Sequence, residues 1–134
     1  MSEHWIVIGY GRTGRALTHT LSGSFGLPSV TVIDPDIDHL IAAWDDGAVA
    51  RVGTGCPEML ELAGIASART VIITLDDDDE VVPLIGLARR LNADCPIYAA
   101  INEPARRQEA LDAGANTVVG PNEDLDLPHH AEVR

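Results

Sequence analysis

Trp5-Ile6-Val7-Ile8-Gly9-Tyr10-Gly11-Arg12-Thr13-Gly14 joins an unbroken apolar run to three glycines spaced G-x-G-x-x-G. The order specifies a buried strand that turns sharply and opens a helix, the context in which the pattern becomes more than a chance match. Gly9 permits the tight turn, Gly11 leaves the backbone bare for the approach of a pyrophosphate, and Gly14 lets the helix lie close to the strand. Tyr10, Arg12 and Thr13 lie between them, where the free N–H groups of a helix start favour anions.

Asp34 ends the next apolar run, 20 residues beyond Gly14, with Pro35 directly after it. A carboxylate at that offset accepts hydrogen bonds from the hydroxyls of an adenosine ribose. A 2′-phosphate there would meet like charge, and Pro35-Asp36-Ile37-Asp38 supplies no arginine to offset it, so NADP is disfavoured while NAD(H), ADP or ATP remain open. Arg12 suits a phosphate contact or a subunit-crossing one, because a guanidinium matches a pair of phosphate oxygens. Arg15 reads as a helix-start arginine paired with surface carboxylates.

Outward from this stretch, short β-branched runs alternate with segments of helical spacing, the mark of βαβ units and a parallel sheet. Strands are expected over residues 5–8, 30–33, 49–52, 70–74, 97–100 and 117–119. Five helices fall between them. The first covers residues 12–21 with Leu17 and Leu21 inward. Asp36 caps the second, in which Ile37, Leu40, Ile41 and Trp44 recur until Gly47. The third starts near Pro57, turns Leu60 and Leu62-Ala63 inward and stops at Gly64. The fourth begins among the acids 76–80, with Pro83 tolerated in its first turn and a stripe of Leu84, Leu87, Ala88 and Leu91. The fifth covers 104–113, with Gly114 as its stop. The expected architecture is an α/β, Rossmann-type three-layer fold with a six-stranded parallel sheet in the order 3-2-1-4-5-6. Residues 1–121 form that domain and 122–134 a polar tail or linker.

Composition narrows the function. With 46% hydrophobic and 22% charged residues, the 134-residue chain is not a disordered or low-complexity one. No apolar run reaches the roughly 18 residues of a membrane helix, and residues 1–20 lack a signal-peptide core. Acidic residues outnumber basic ones 21 to 9, and every basic residue is arginine. A charge of −12 points away from nucleic acid, whose phosphates need a cationic face. Cys56 and Cys95 are too few for a disulfide framework or a zinc site, which fits a reducing compartment. The run Asp76–Glu80 has oxygen ligands for a hard cation but no EF-hand spacing, and reads as a solvated helix start rather than a metal site. His4, His19 and His39 are isolated along the chain, His129 and His130 sit in the tail, and no catalytic residue is assigned.

Beyond the glycines, the chain resembles the nucleotide-binding N-terminal domain of the regulator-of-potassium-conductance family, also seen in Trk-type potassium-uptake regulators. The resemblance spans about residues 4–121. It rests on Gly9–Gly14, Val32-Ile33-Asp34 with Asp36, Gly53, Leu60-Glu61-Leu62-Ala63-Gly64-Ile65, Ala68, Val71-Ile72-Ile73-Thr74 with Asp77, Ala88-Arg89-Arg90-Leu91-Asn92 and Ala113-Gly114-Ala115-Asn116. It implies Gly53, Thr54 and Gly55 beside an adenine, and Thr74 with Asp77 towards the phosphates or distal half of the ligand. The chain differs from the family pattern at Thr54, Val81, Ala100 and Asn116, where Asp, Asn, Arg and Asp are common; Thr54 removes an acceptor for the adenine amino group.

The resemblance implies a cytoplasmic regulatory domain at the inner face of the membrane. It would bind an adenine nucleotide and gate a membrane-embedded potassium channel or transporter subunit. A homodimer or larger assembly is expected, with Leu84, Ile85, Leu87, Leu91 and Leu111 on the fourth and fifth helices as its contact surface. Two other readings stay open: the cofactor-binding fragment of an NAD-dependent oxidoreductase, and a ligand-free assembly scaffold for which the departures at Thr54, Val81 and Ala100 speak.

Overall fold

Every second residue of the first strand faces the same helix layer, yet both sets are buried. Ile6 and Ile8 enter one core, Trp5 and Val7 the other, as in a sheet covered on both faces. In the computed structural model, which describes residues 4–23 and 28–120, the strands are β1 (His4–Ile8), β2 (Ser29–Asp34), β3 (Val49–Val52), β4 (Thr70–Ile73), β5 (Ile97–Ala100) and β6 (Thr117–Val119). The helices are α1 (Arg12–Ser22), α2 (Ile37–Asp45), α3 (Pro57–Leu62), α4 (Asp78–Leu91) and α5 (Arg107–Ala113). All strand pairs are parallel, in the order β3-β2-β1-β4-β5-β6, so the expected Rossmann-like sheet is the observed one.

Leu17 of α1 with Leu40 and Ala43 of α2 close one face of the sheet. Leu60 of α3, Val81, Leu84, Ile85 and Ala88 of α4 and Ala110 of α5 close the other. Each fully buried isoleucine or leucine contributes roughly 1.5–3 kcal/mol. The chain crosses from one side of β1 to the other between β3 and β4. This reversal leaves an opening at the C-terminal ends of β1, β2 and β4, where open α/β sheets bind ligands.

Three helix expectations are corrected. Leu62 is 79% exposed: it lies two positions past the buried Leu60, about 200° round the helix, and so on its far side. Pro83 falls in the second turn of α4, not the first, because the helix starts at Asp78. Its ring then leaves the Asp79 carbonyl without the usual helical donor. The segment starting at Pro104 opens as a 3₁₀ turn, Pro104–Arg106, and becomes α-helical only from Arg107.

Exposed apolar groups also sit elsewhere than expected. Leu84 and Ile85 are buried, leaving Leu111 as the exposed member of the expected contact set. Ile37, Ile41 and Trp44 of α2, with Val49 and Val52 of the edge strand β3, are exposed instead. The tail 122–134 lies outside the described residues. No helix among the described residues is long and apolar enough to cross a membrane.

Candidate functional site

The turn after β1 is closed by β4. Gly9, at φ +97°, donates its N–H to the Ile33 carbonyl at 2.8 Å and accepts from Thr74 Oγ1 at 2.8 Å. A Cβ on Gly9 would stand 2.8 Å from the Thr74 carbonyl carbon, and one on Gly14 would collide with the Gly9 carbonyl and Thr74 Oγ1. Gly14 thus does its expected work of bringing α1 against β1. Thr74, expected near the distal half of a ligand, borders the cleft but spends its hydroxyl on the turn. Gly11 precedes α1 and carries no side chain, so the helix has no side-chain cap for its first N–H groups.

Asp34 is 2% exposed, and its carboxylate is already engaged. Oδ2 accepts from the Tyr10 N–H at 2.6 Å and faces His39 Nδ1 at 3.0 Å; Oδ1 accepts from the Asp36 N–H at 2.8 Å. A carboxylate has about four lone-pair sites. Three are used here, and the spare one is on Oδ1. The acid thus ties the glycine turn to the start of α2, and a ribose would meet one open acceptor site and the imidazole beside it.

A cleft of about 230 Å³ runs between these elements, lined by Gly9, Gly11, Asp34, Pro35, Asp36, His39, Thr74, Leu75, Asp76, Asp77 and Glu80. Six of the expected site residues therefore meet: Gly9, Gly11, Asp34, Pro35, Thr74 and Asp77. Tyr10 and Arg12 line an adjoining groove between α1 and α2, with Arg15, His19 and His39. Thr13 is half-buried. Gly53, Thr54 and Gly55 follow β3 on the far side of Asp34, joined to it where the Gly53 N–H donates to the Asp34 carbonyl at 3.2 Å. They do not line the cleft, and Thr54 is exposed.

Beneath the groove, Asp46 gathers the elements around the turn. Its carboxylate accepts from Tyr10 Oη at 2.7 Å and from Arg15 Nε and Nη2 at 2.8 and 2.9 Å, and faces His19 Nε2 at 3.1 Å. The Arg15 guanidinium holds the Asp46 carboxyl well below the usual range, with the Tyr10 hydroxyl and His19 adding to this and burial opposing it. Burial and the Asp46 carboxylate push the Tyr10 phenol up, keeping it a donor. Arg15 is the structural ion pair the sequence suggested, whereas the described contacts give Arg12 no partner.

The acidic run 76–80 is not simply a solvated face. Asp77 caps α4 by accepting from the Asp79 N–H at 2.9 Å, and Asp79 pairs with Arg106 at 2.6 Å. Asp78 is buried, accepting from the N–H groups of Asn102 and Glu103 at 2.9 and 3.0 Å. The described residues contain no cluster of three or more His, Cys, Asp or Glu side chains arranged for a metal. Two departures from the family pattern also have structural work: Val81 is fully buried, and Asn116 Oδ1 accepts from Arg89 and from the Ile97 N–H, both at 2.8 Å.

Spacing along the chain alone hides His39. It is the third residue of α2 after its cap Asp36, a position from which a side chain reaches back over the helix start. That signal was present in the sequence. Asp76, just before α4, and Glu80, in its first turn, line the cleft together with Asp34.

The model of the TrkA-N domain matches residues 5–121. Among curated relatives, Potassium channel protein 1 of Methanocaldococcus jannaschii is 29% identical over 124 residues, covering 90% of this chain and 37% of that protein. The chain spans between 18% and 37% of the curated relatives it matches. The TrkA-N domain of the inner membrane protein YbaL from Escherichia coli superposes with a TM-score of 0.78 at 24% identity, over 98% of this chain and 95% of that one. The GsuK channel bound to NAD superposes at 0.72 and 25% identity, over 89% of this chain and 21% of that one. Its ADP-bound form superposes at 0.73 and 26%, over 90% and 31%.

Proposed function

The chain belongs to the TrkA-N domain family, and from that premise we propose that it senses an adenine nucleotide and passes its occupancy to a potassium channel or transporter. The cleft beside Asp34 is the proposed seat of NAD(H), ADP or ATP. One observation carries this reading: a bare Gly9–Gly11 turn and a fixed carboxylate face one opening at the ends of β1, β2 and β4. The NAD and ADP held by the related channel support it.

Charge ranks the ligands. Asp34, Asp36, Asp76, Asp77 and Glu80 all border the cleft, so each added phosphate charge costs affinity. NAD, whose nicotinamide ring offsets part of its pyrophosphate charge, is the preferred ligand and ATP the least favoured. No chemical step is needed: a nucleotide that binds one arrangement of paired domains better than another shifts their population by its differential affinity. The proposed place of work is the cytosolic side of a membrane, beside a pore partner.

The test is a thermal-shift and calorimetric titration with NAD, NADH, ADP and ATP. A ligand at 100 times its Kd stabilises the fold by about 2.7 kcal/mol, so the melting temperature rises, most with NAD or NADH. An unchanged melt with all four overturns the sensor and favours the assembly scaffold. That second reading draws on the three hydrogen-bond partners already present at Asp34.

A further inference from the structure

We propose that His39 is the affinity-setting residue of the cleft, its imidazolium supplying the positive charge that a pyrophosphate needs there, so that nucleotide binding tightens as the ring takes up a proton. This rests on the nucleotide reading above and names its regulation. The ring stands between the two elements a dinucleotide must touch. Nδ1 is 3.0 Å from Asp34 Oδ2, and the ring packs over Gly11, its Cε1 3.2 Å from where a Cβ on that residue would stand.

Because an ionised carboxylate only accepts, Asp34 fixes the proton on Nδ1. Nε2 is then an acceptor in the neutral ring and a donor in the charged one. Its nearest charged neighbour is Asp36 Oδ2 at 3.9 Å, beyond hydrogen-bond reach, so Nε2 is free to turn to a ligand oxygen. The side chain is 37% exposed and borders both the acidic cleft and the groove carrying Arg12.

The charges facing it come from every neighbouring element. β2 and the start of α2 bring Asp34 and Asp36; the β4 to α4 turn brings Asp76, Asp77 and Glu80. The α1 side brings Arg12, Arg15 and His19. Arg15 and His19 are held by Asp46, which leaves Arg12 and a protonated His39 to offset five carboxylates. Imidazole is the ordinary side chain whose charge changes between pH 5 and 8. A neutral ring leaves the anion facing the acids with Arg12 alone.

NAD is the probe, because its pyrophosphate does not titrate between pH 6 and 8. Calorimetry at both values, on the intact chain, is expected to show binding several-fold tighter at pH 6. His39→Asn carries its amide N–H at the position of Nδ1, which keeps a donor for Asp34 without charge, and is expected to bind at both pH values as weakly as the parent at pH 8. His39→Arg is expected to bind tightly at both, and His19→Gln to keep the parental pH dependence. The proposal is overturned if the parent binds equally or more weakly at pH 6, or if His39→Asn retains the dependence. Either result leaves nucleotide binding itself intact, whereas no heat and no melting shift at either pH overturns both.

Discussion

Gly14 is where a single methyl group decides whether the glycine turn exists. Adding one in Gly14→Ala drives it into the Gly9 carbonyl and Thr74 Oγ1, which are held by backbone and a buried hydroxyl that cannot yield. We expect at least 1–3 kcal/mol of destabilisation in urea unfolding. Asp46→Asn loses charge-assisted bonds worth about 1.5–3 kcal/mol. The sign with pH follows from its depressed pKa: this stability is present above the unfolded value, and is lost as pH falls from about 4 towards the lower folded value. Unfolding curves at pH 7 should separate parent and variant, and the gap should narrow steadily as pH falls from about 4 to 2. At this scale Gly9, Gly14 and Asp34 were legible because each has a local mechanical reason. The hub at Asp46 was not, since Tyr10, Arg15 and His19 meet it only after α1 and α2 lie side by side.

Strands were easier to read than helix faces, because a strand buried on both sides needs only a continuous apolar run. Helices mislead where apolar residues outnumber the positions the sheet can cover. In α3, Leu60 is fully buried and Leu62 exposed. Leu60→Ala should therefore cost about 2–5 kcal/mol, while Leu62→Gln stays within about 0.5 kcal/mol, both measurable by denaturant titration. At the other end of the sheet, Arg89 joins α4 to the end of α5. Its guanidinium donates to the carbonyls of Asn92, Ala93, Cys95 and Gly114 and to Asn116 Oδ1. Arg89→Met strips partners from all of these, and amide exchange in β5 and β6 should accelerate relative to β1 and β2. The sequence marked Arg89 only as part of a family pattern, because none of its acceptors but Asn116 is a side chain.

Over the whole molecule, the alternation of strand and helix announced a parallel sheet, and the glycine fingerprint after the first strand pointed to the Rossmann order among those that right-handed crossovers allow. The charge balance was equally plain in the composition. With a formal charge of −12, the fold repels itself, so raising salt from low ionic strength to about 0.15 M should increase the melting temperature. A flat or falling trend would show that local ion pairs such as those at Asp46 outweigh the global repulsion. The grip on Asp34 has a kinetic corollary. Main-chain hydrogens from two loops already immobilise that acid, so its ordering entropy is lost when the polypeptide folds and not at the moment of capture. A sugar arriving there would find its acceptor set, and the speed of capture would be governed by diffusion and ionic strength instead of by loop rearrangement.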